Sequence, residues 1–136
     1  MTDCIFCKII ERKIPANIVY ETDKVIAFLD IMPVNSGHVL VVPKSHQLDM
    51  LETPDILLSA LIVDIKKIAK GVMSAVNADG FNLGVNTKPA AGQVVFHTHF
   101  HIIPRFSNDG LKHWPHKKME QKEMAAIADQ IKKKLN

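Results

Sequence analysis

The sequence predicts a single α+β domain over residues 1–136, and three observations lead to it. Short β-rich stretches lie on both sides of one long run of helical periodicity, a second helical pattern closes the chain, and no repeat, low-complexity segment or linker interrupts them. Strands grouped around one helix, without regular βαβ alternation, favour a central antiparallel sheet carrying one long helix and a C-terminal helix.

The first element is Cys4 to Ile10, followed by two short strands, Asn17 to Tyr20 and Val25 to Leu29. The polar run Glu21-Thr22-Asp23-Lys24 between them is a hairpin signal. Pro33-Val34-Asn35-Ser36-Gly37 is a loop, and the unbroken apolar run of His38-Val39-Leu40-Val41-Val42 predicts a strand buried on both faces. Thr53-Pro54 starts the long helix, with Thr53 as cap and Pro54 at the first helical position. Leu58, Leu61, Ile62, Ile65, Ile68, Ala69, Val72 and Val76 recur at helical spacing and form its core stripe. Phe81 to Val85 predicts a strand, Asn86 to Gln93 a loop, and Val94 to Ile103 a further strand. The last helix, Met119 to Leu135, places Met124, Ile127, Ala128, Ile131 and Leu135 on one stripe.

Composition narrows the function classes. A chain of 136 residues can bury a core without disulfides, and 47% hydrophobic with 23% charged residues is the mixture of an ordinary globular protein. The net charge of +3 is mild. Its most compact cluster, Lys132 to Lys134, falls at a helix C-terminus where cations complement the dipole, so no nucleic-acid partner is expected, while small phosphate compounds remain compatible. No apolar run approaches the ~18 residues of a membrane span, and Met1-Thr2-Asp3-Cys4 lacks the opening of a signal peptide. The expectation is a cytoplasmic protein without membrane contact. In a reducing compartment Cys4 and Cys7, the two cysteines, suit a metal clamp or redox pair better than a structural disulfide.

The segment Val94 to Ile103 carries the chemistry. In an extended chain His97, His99 and His101 share one face with Val95 and Ile103, while Val94, Phe96, Thr98, Phe100 and Ile102 share the other. Residues two apart on a strand lie about 6.5–7 Å from one another, which lets neighbouring imidazoles converge on one metal or one phosphate. A solvated polar face is the bland alternative, and a three-histidine metal site is credible on spacing alone. Cys4-x-x-Cys7 also offers two thiolates at zinc-site spacing and, far from any βαβ unit, reads as zinc before redox. His46 is one candidate for the missing ligands, and one of the three alternating histidines is another.

The run from Gln93 to Arg105, with His97, His99 and His101 alternating with mainly apolar residues, closely resembles the signature of the histidine triad (HIT) family. Cys4 to Ile10, Ile14-Pro15-Ala16, Ala27 to Ile31, Gly37 to His46 and Ala91-Gly92-Gln93 resemble further segments in family order, so the likeness spans residues 4 to 116. It is strongest for the purine-nucleotide-binding, Hint-like branch of the zinc-bearing bacterial type. The resemblance implies a HIT-like fold whose sheets pair in a homodimer, and hydrolysis or transfer of a nucleotidyl group from purine nucleoside phosphoramidates or related conjugates. By position it implies His99 as nucleophile with His101 and His38 around the phosphate, and Gly92, Gln93 and Val94 at the phosphate edge. Asp30 and Asn86 would hold the ribose, and Ile5, Phe6, Ile9, Phe28, Ile31 and Leu40 the base. Structural zinc would take Cys4, Cys7, His46 and His97.

Independent chemistry agrees. Neutral imidazole is nucleophilic near pH 7, and an N-phosphoryl histidine that water discharges divides one hard displacement into two. Asp30 alone reads equally as a turn carboxylate, and the pocket residues alone read as ordinary core. Two positions depart from the family pattern. Val94 stands where many relatives carry a hydroxyl residue, and Asn86-Thr87-Lys88-Pro89-Ala90 replaces a more glycine-rich loop. Hydrolysis of dinucleoside polyphosphates, or nucleotide binding with weak catalysis, are the alternatives.

Overall fold

The computed structural model describes residues 3–136. Its elements are α1 (Ile5–Ile10), β1 (Ile18–Glu21), β2 (Val25–Leu29), β3 (Val39–Pro43), α2 (Asp55–Val76), β4 (Gly80–Gly84), β5 (Phe100–Arg105) and α3 (Gln121–Leu135), with 3₁₀ turns at Met50–Glu52 and Pro89–Ala91. The strands form one antiparallel sheet in the order β1-β2-β3-β5-β4, as the α+β expectation requires.

The period of two in β2 and β3 builds two cores. Val25, Ala27, Val39 and Val41 face α2, where they meet Leu61, Ile65, Ile68 and Ala69. Ile26, Phe28, Leu40 and Val42 face the other way and meet Phe6 and Ile9 of α1. The apolar run of β3 is therefore buried on both faces, as predicted. The β1–β2 turn is held by Thr22, whose Oγ1 accepts from the amides of Lys24 and Val25 at 3.3 and 3.1 Å.

Several boundaries differ from the sequence reading. β1 starts one residue later, β3 starts at Val39 rather than His38, and β4 runs Gly80–Gly84. Pro54 is the N-cap of α2 instead of its first residue. Thr53 does not cap: its buried hydroxyl donates to Asp49 O and meets Thr98 Oγ1, each at 2.8 Å, because this tertiary pair outcompetes the local cap. Asn77 in the left-handed conformation ends α2. Ile62, placed in the core stripe by spacing, is 49% exposed.

The largest correction concerns the predicted strand Val94 to Ile103, of which only Phe100 onward is strand, extended to Arg105. Thr98, Phe100, Ile102 and Pro104 are buried in alternation, but upstream Phe96 is 46% and Val94 83% exposed, so the single-face pattern fails there. Bends at residues 95–97 redirect the chain. α3 starts two residues later than expected, and its Met124, Ile127, Ile131 and Leu135 are exposed, because the helix leaves the body of its own chain.

Candidate functional site

α1 is a six-residue helix whose N-cap is Cys4, the thiol accepting from Cys7 N–H at 3.4 Å. A Cys-x-x-Cys pair at such a start points both sulfurs to one side. Toward them come His46, from the loop after β3, and His97, from the bend before β5. Cys4 Sγ lies 3.4 Å from His97 Nδ1, Cys7 Sγ lies 3.4 Å from His46 Nδ1 and 3.6 Å from His97 Nδ1, and the two Nδ1 atoms are 3.1 Å apart. A tetrahedral ion with metal–ligand bonds of about 2.0–2.3 Å has edges of about 3.3–3.8 Å, so these four atoms already outline one. The other nitrogen of His97, Nε2–H, donates to Pro43 O at 2.7 Å. That bond fixes the tautomer with a lone pair on Nδ1, the arrangement a metal-binding imidazole needs. Burial lowers the His97 pKa to about 4 and raises the Cys7 thiol to about 11.

A second cluster, Asp30, His38 and His101, is equally compact, and its hydrogen bonds give it a different chemistry. Val34 N–H donates to His38 Nδ1 at 3.0 Å, so neutral His38 carries its proton on Nε2. That Nε2–H faces His101 Nδ1 at 2.9 Å, which puts the His101 proton on its own Nε2. To bind a metal through Nε2, neutral His38 would move its proton onto the nitrogen already facing Val34 N–H. The cluster is therefore a directed proton chain, not a second metal cage. Gly37, at φ +87°, delivers His38 from the loop, with the β-carbon position crowded by Val76 and Pro104.

His99 stands between the two clusters. Its Nδ1–H donates to His97 O at 2.7 Å, leaving a lone pair on Nε2. Its ring lies 5.1 Å from that of His101 and edge-on to Phe6 at 5.0 Å. Burial lowers the pKa of His38 and His99, and that of His101 to about 4, so all three are neutral at pH 7; Asp30 opposes the shift in each case.

His99 and His101 line a cavity of about 410 Å³. Its walls hold Ile5, Phe6, Ile9, Phe28, Asp30, Ile31, Leu40, Asn86, Gly92 and Val94, so it gathers every nucleotide-contact candidate except Gln93. Gln93 is turned inward: Nε2 donates to Leu48 O and Val95 O at 2.7 and 3.2 Å, Oε1 accepts from Lys88 N–H, and its own N–H bonds Lys88 O. With its donors engaged it braces the loop around Pro89 and does not face the cavity. His38 lies behind His101. Asp30 keeps both sequence readings, since Oδ1 accepts from Met32 N–H at 2.9 Å as a turn carboxylate while the residue lines the cavity. Ile14, Pro15, Ala16, Leu29, Met32 and Val95 complete the wall without having been singled out for it; the Ile14-Pro15-Ala16 run was the available signal. Pro43 O and Val34 N–H, which set the tautomers, are main-chain groups and leave no mark in a sequence.

A larger hollow of about 780 Å³ lies between β4 and residues 105–113. Its strongest charges are spent on each other: Arg105 Nε donates to Asp109 Oδ2 at 2.7 Å and Arg105 Nη1 to Asn82 Oδ1 at 2.8 Å. The smaller cavity is the one with an unprotonated imidazole nitrogen, a neighbouring N–H donor and an apolar wall, a combination suited to attack on phosphorus in a nucleotide.

Known proteins share the fold. The HIT domain family model matches residues 11–108. The adenosine 5'-monophosphoramidase hnt1 of Schizosaccharomyces pombe is 38% identical over 97% of this chain and 98% of its own length. The crystal structure of SMU.412c from Streptococcus mutans superposes with a TM-score of 0.94 at 39% identity, covering 100% of this chain and 87% of that one. A zinc-bound histidine triad family protein from Mycobacterium smegmatis reaches 0.78 at 33% identity, covering 96% and 97%.

Proposed function

Because the chain belongs to the HIT domain family, we propose that it is a nucleotidyl hydrolase of one domain, cleaving purine nucleoside phosphoramidates or related nucleotide conjugates through an intermediate on His99. The observation that carries this reading is the His99 Nδ1–H bond to His97 O, which commits the other nitrogen to act as nucleophile.

The base lies against Phe6, Ile9, Phe28 and Leu40, with Ile5 and Ile31 at the rim, and the ribose hydroxyls meet Asp30 and Asn86. The phosphate faces His99 and His101 beside Gly92 and Val94. His99 Nε2 attacks phosphorus and the P–N bond to the amine breaks; His101 Nε2–H donates a hydrogen bond to the phosphate, and the departing amine takes its proton from solvent. His38, with its Nε2–H held toward His101 Nδ1, keeps the His101 donor aimed outward. Water then attacks phosphorus, the bond from phosphorus to His99 Nε2 breaks, the water's surplus proton passes to solvent, and the nucleoside monophosphate leaves with His99 regenerated. Gln93 enters as a brace of the loop rather than a phosphate contact.

A zinc ion held by Cys4, Cys7, His46 and His97 would supply a four-point cross-link among α1, the loop after β3 and the segment before β5. We also assign a homodimer: β4 is an edge strand, and beside it an apolar groove of about 440 Å³ runs past Ile62, Val63, Met73, Phe81 and Leu83, a surface suited to a second copy. No described helix is long and apolar enough to cross a membrane. A cytoplasmic setting fits free thiols at Cys4 and Cys7.

Val94 supports one rival reading. It lines the cavity without a hydroxyl, which suits a nucleotide binder with weak catalysis. Acid-quenched mass spectrometry during turnover of adenosine phosphoramidate separates the two. One nucleoside monophosphate on His99 is expected; an adduct on His101 or His38, or no adduct with unimpaired binding, refutes the mechanism.

A further inference from the structure

Two elements of the nucleotide cavity are tied to the cysteine-histidine cluster by separate routes. The first runs through α1. A six-residue helix is too short to hold its shape alone, and both thiols of the cluster belong to its cap and first turn. The same helix supplies Phe6 and Ile9, each 6% exposed, to the cavity wall. Phe6 packs edge-on to Phe28 at 5.5 Å and to His99 at 5.0 Å, so a displacement of α1 moves the wall and frees the His99 ring together.

The second route runs through His97. Its side chain faces Cys4, Cys7 and His46, while its main-chain oxygen, in the same residue, holds His99 Nδ1–H at 2.7 Å. An ion on His97 Nδ1 would fix the ring against Pro43 O and with it the carbonyl that sets the His99 tautomer. Without the ion, α1 is held to the sheet by the main-chain link that follows it and by the packing of Phe6 and Ile9.

We propose that the Cys4, Cys7, His46 and His97 centre is a positioning device, and that its occupancy by a divalent metal sets both nucleotide affinity and His99 geometry. The proposal rests on the nucleotide reading above and adds to it a control by metal availability. Coupling between two binding sites is reciprocal, so nucleotide must tighten metal binding by the factor that metal tightens nucleotide.

The test compares full-length protein loaded with zinc and stripped by a chelator, using AMP as probe. Calorimetry should show AMP binding weakened by about tenfold or more on stripping. ¹⁵N spectra of histidine-labelled protein should show His99 passing from a single Nδ1–H form to a mixture, with zinc restoring both. AMP affinity within twofold of the loaded protein, with an unchanged His99 signal, overturns the proposal. If the stripped protein no longer melts cooperatively, cobalt-substituted protein decides. Saturating AMP should then shift the thiolate-to-cobalt absorption, and an unchanged spectrum overturns the coupling. Failure of AMP to bind the zinc-loaded protein would sink the nucleotide reading instead.

Discussion

His99 donates its Nδ1 proton to the main-chain oxygen of His97, two residues back and 2.7 Å away. This contact joins two histidines with opposite duties. His97 turns Nδ1 toward two thiols and a second imidazole, while His99 keeps Nε2 for the cavity. Replacing each ring should therefore fail differently. His99→Ala is expected to lower kcat by at least about a thousandfold with melting temperature and nucleotide affinity nearly unchanged. His97→Ala is expected to lower the melting temperature first. Near-normal turnover by His99→Ala would leave the three histidines as a binding surface.

Cys4 caps α1 and faces His97, so Cys4→Ser removes a thiolate metal ligand while its hydroxyl can still cap the helix, which assigns any loss of stability to the metal. The melting temperature should fall by about 5 °C or more, with zinc content dropping in parallel. An unchanged melting temperature, or absence of metal from protein purified without chelator, counts against the zinc assignment.

Gly37 sits at φ +87°, and a β-carbon there would lie 2.9 Å from Val76 Cγ1 and 3.3 Å from Pro104 Cγ. Gly37→Ala should cost about 1–3 kcal/mol of stability, from the left-handed backbone and the clash together. Because His38 follows directly, kcat should fall as well. Denaturant unfolding beside steady-state kinetics checks both, and a stability loss without any kinetic change would detach His38 from the mechanism.

Val94 is 83% exposed and lines the cavity that holds His99 and His101. Val94→Ser should raise turnover of amine-linked nucleotides by up to about tenfold, the worth of one transition-state hydrogen bond, with little change in nucleotide affinity. Equal or slower turnover would mean that the site has adapted to valine.

Acid should destabilise the protein before it titrates carboxylates. Burial holds His101 neutral with a pKa of about 4 and lowers those of His38 and His99, all below the ordinary 6.5 that the unfolded chain has. Between these values the unfolded state binds more protons, so stability is complete above about pH 6.5 and falls as pH drops toward 4. Thermal melts across that window should show a steady decline, less steep in His101→Gln. A flat profile down to pH 4.5 would contradict the burial of these rings.

Much of the fold and site was legible in the sequence because the signals are local. The apolar runs of Val25 to Leu29 and after His38 mark strands by composition and length, and the α2 stripe needs only helical spacing. The paired cysteines and alternating histidines name the chemistry by residue type, and the family likeness assigned them roles. Tertiary structure decided what depends on groups distant in sequence. Strand periodicity placed His97, His99 and His101 on one face, but Thr98 N–H bonds Gln47 O, the chain bends at residues 95–97, and His97 is drawn to Cys4, 93 residues away. Gln93 is a brace because Leu48 O lies within reach of its amide, and Thr53 abandons its cap because Thr98 meets it. The tautomers of His38, His97 and His99 are set by the main-chain groups of Val34, Pro43 and His97, which every residue type carries alike. A sequence specifies which side chains can ligate or attack; only packing decides which nitrogen is left free to do so.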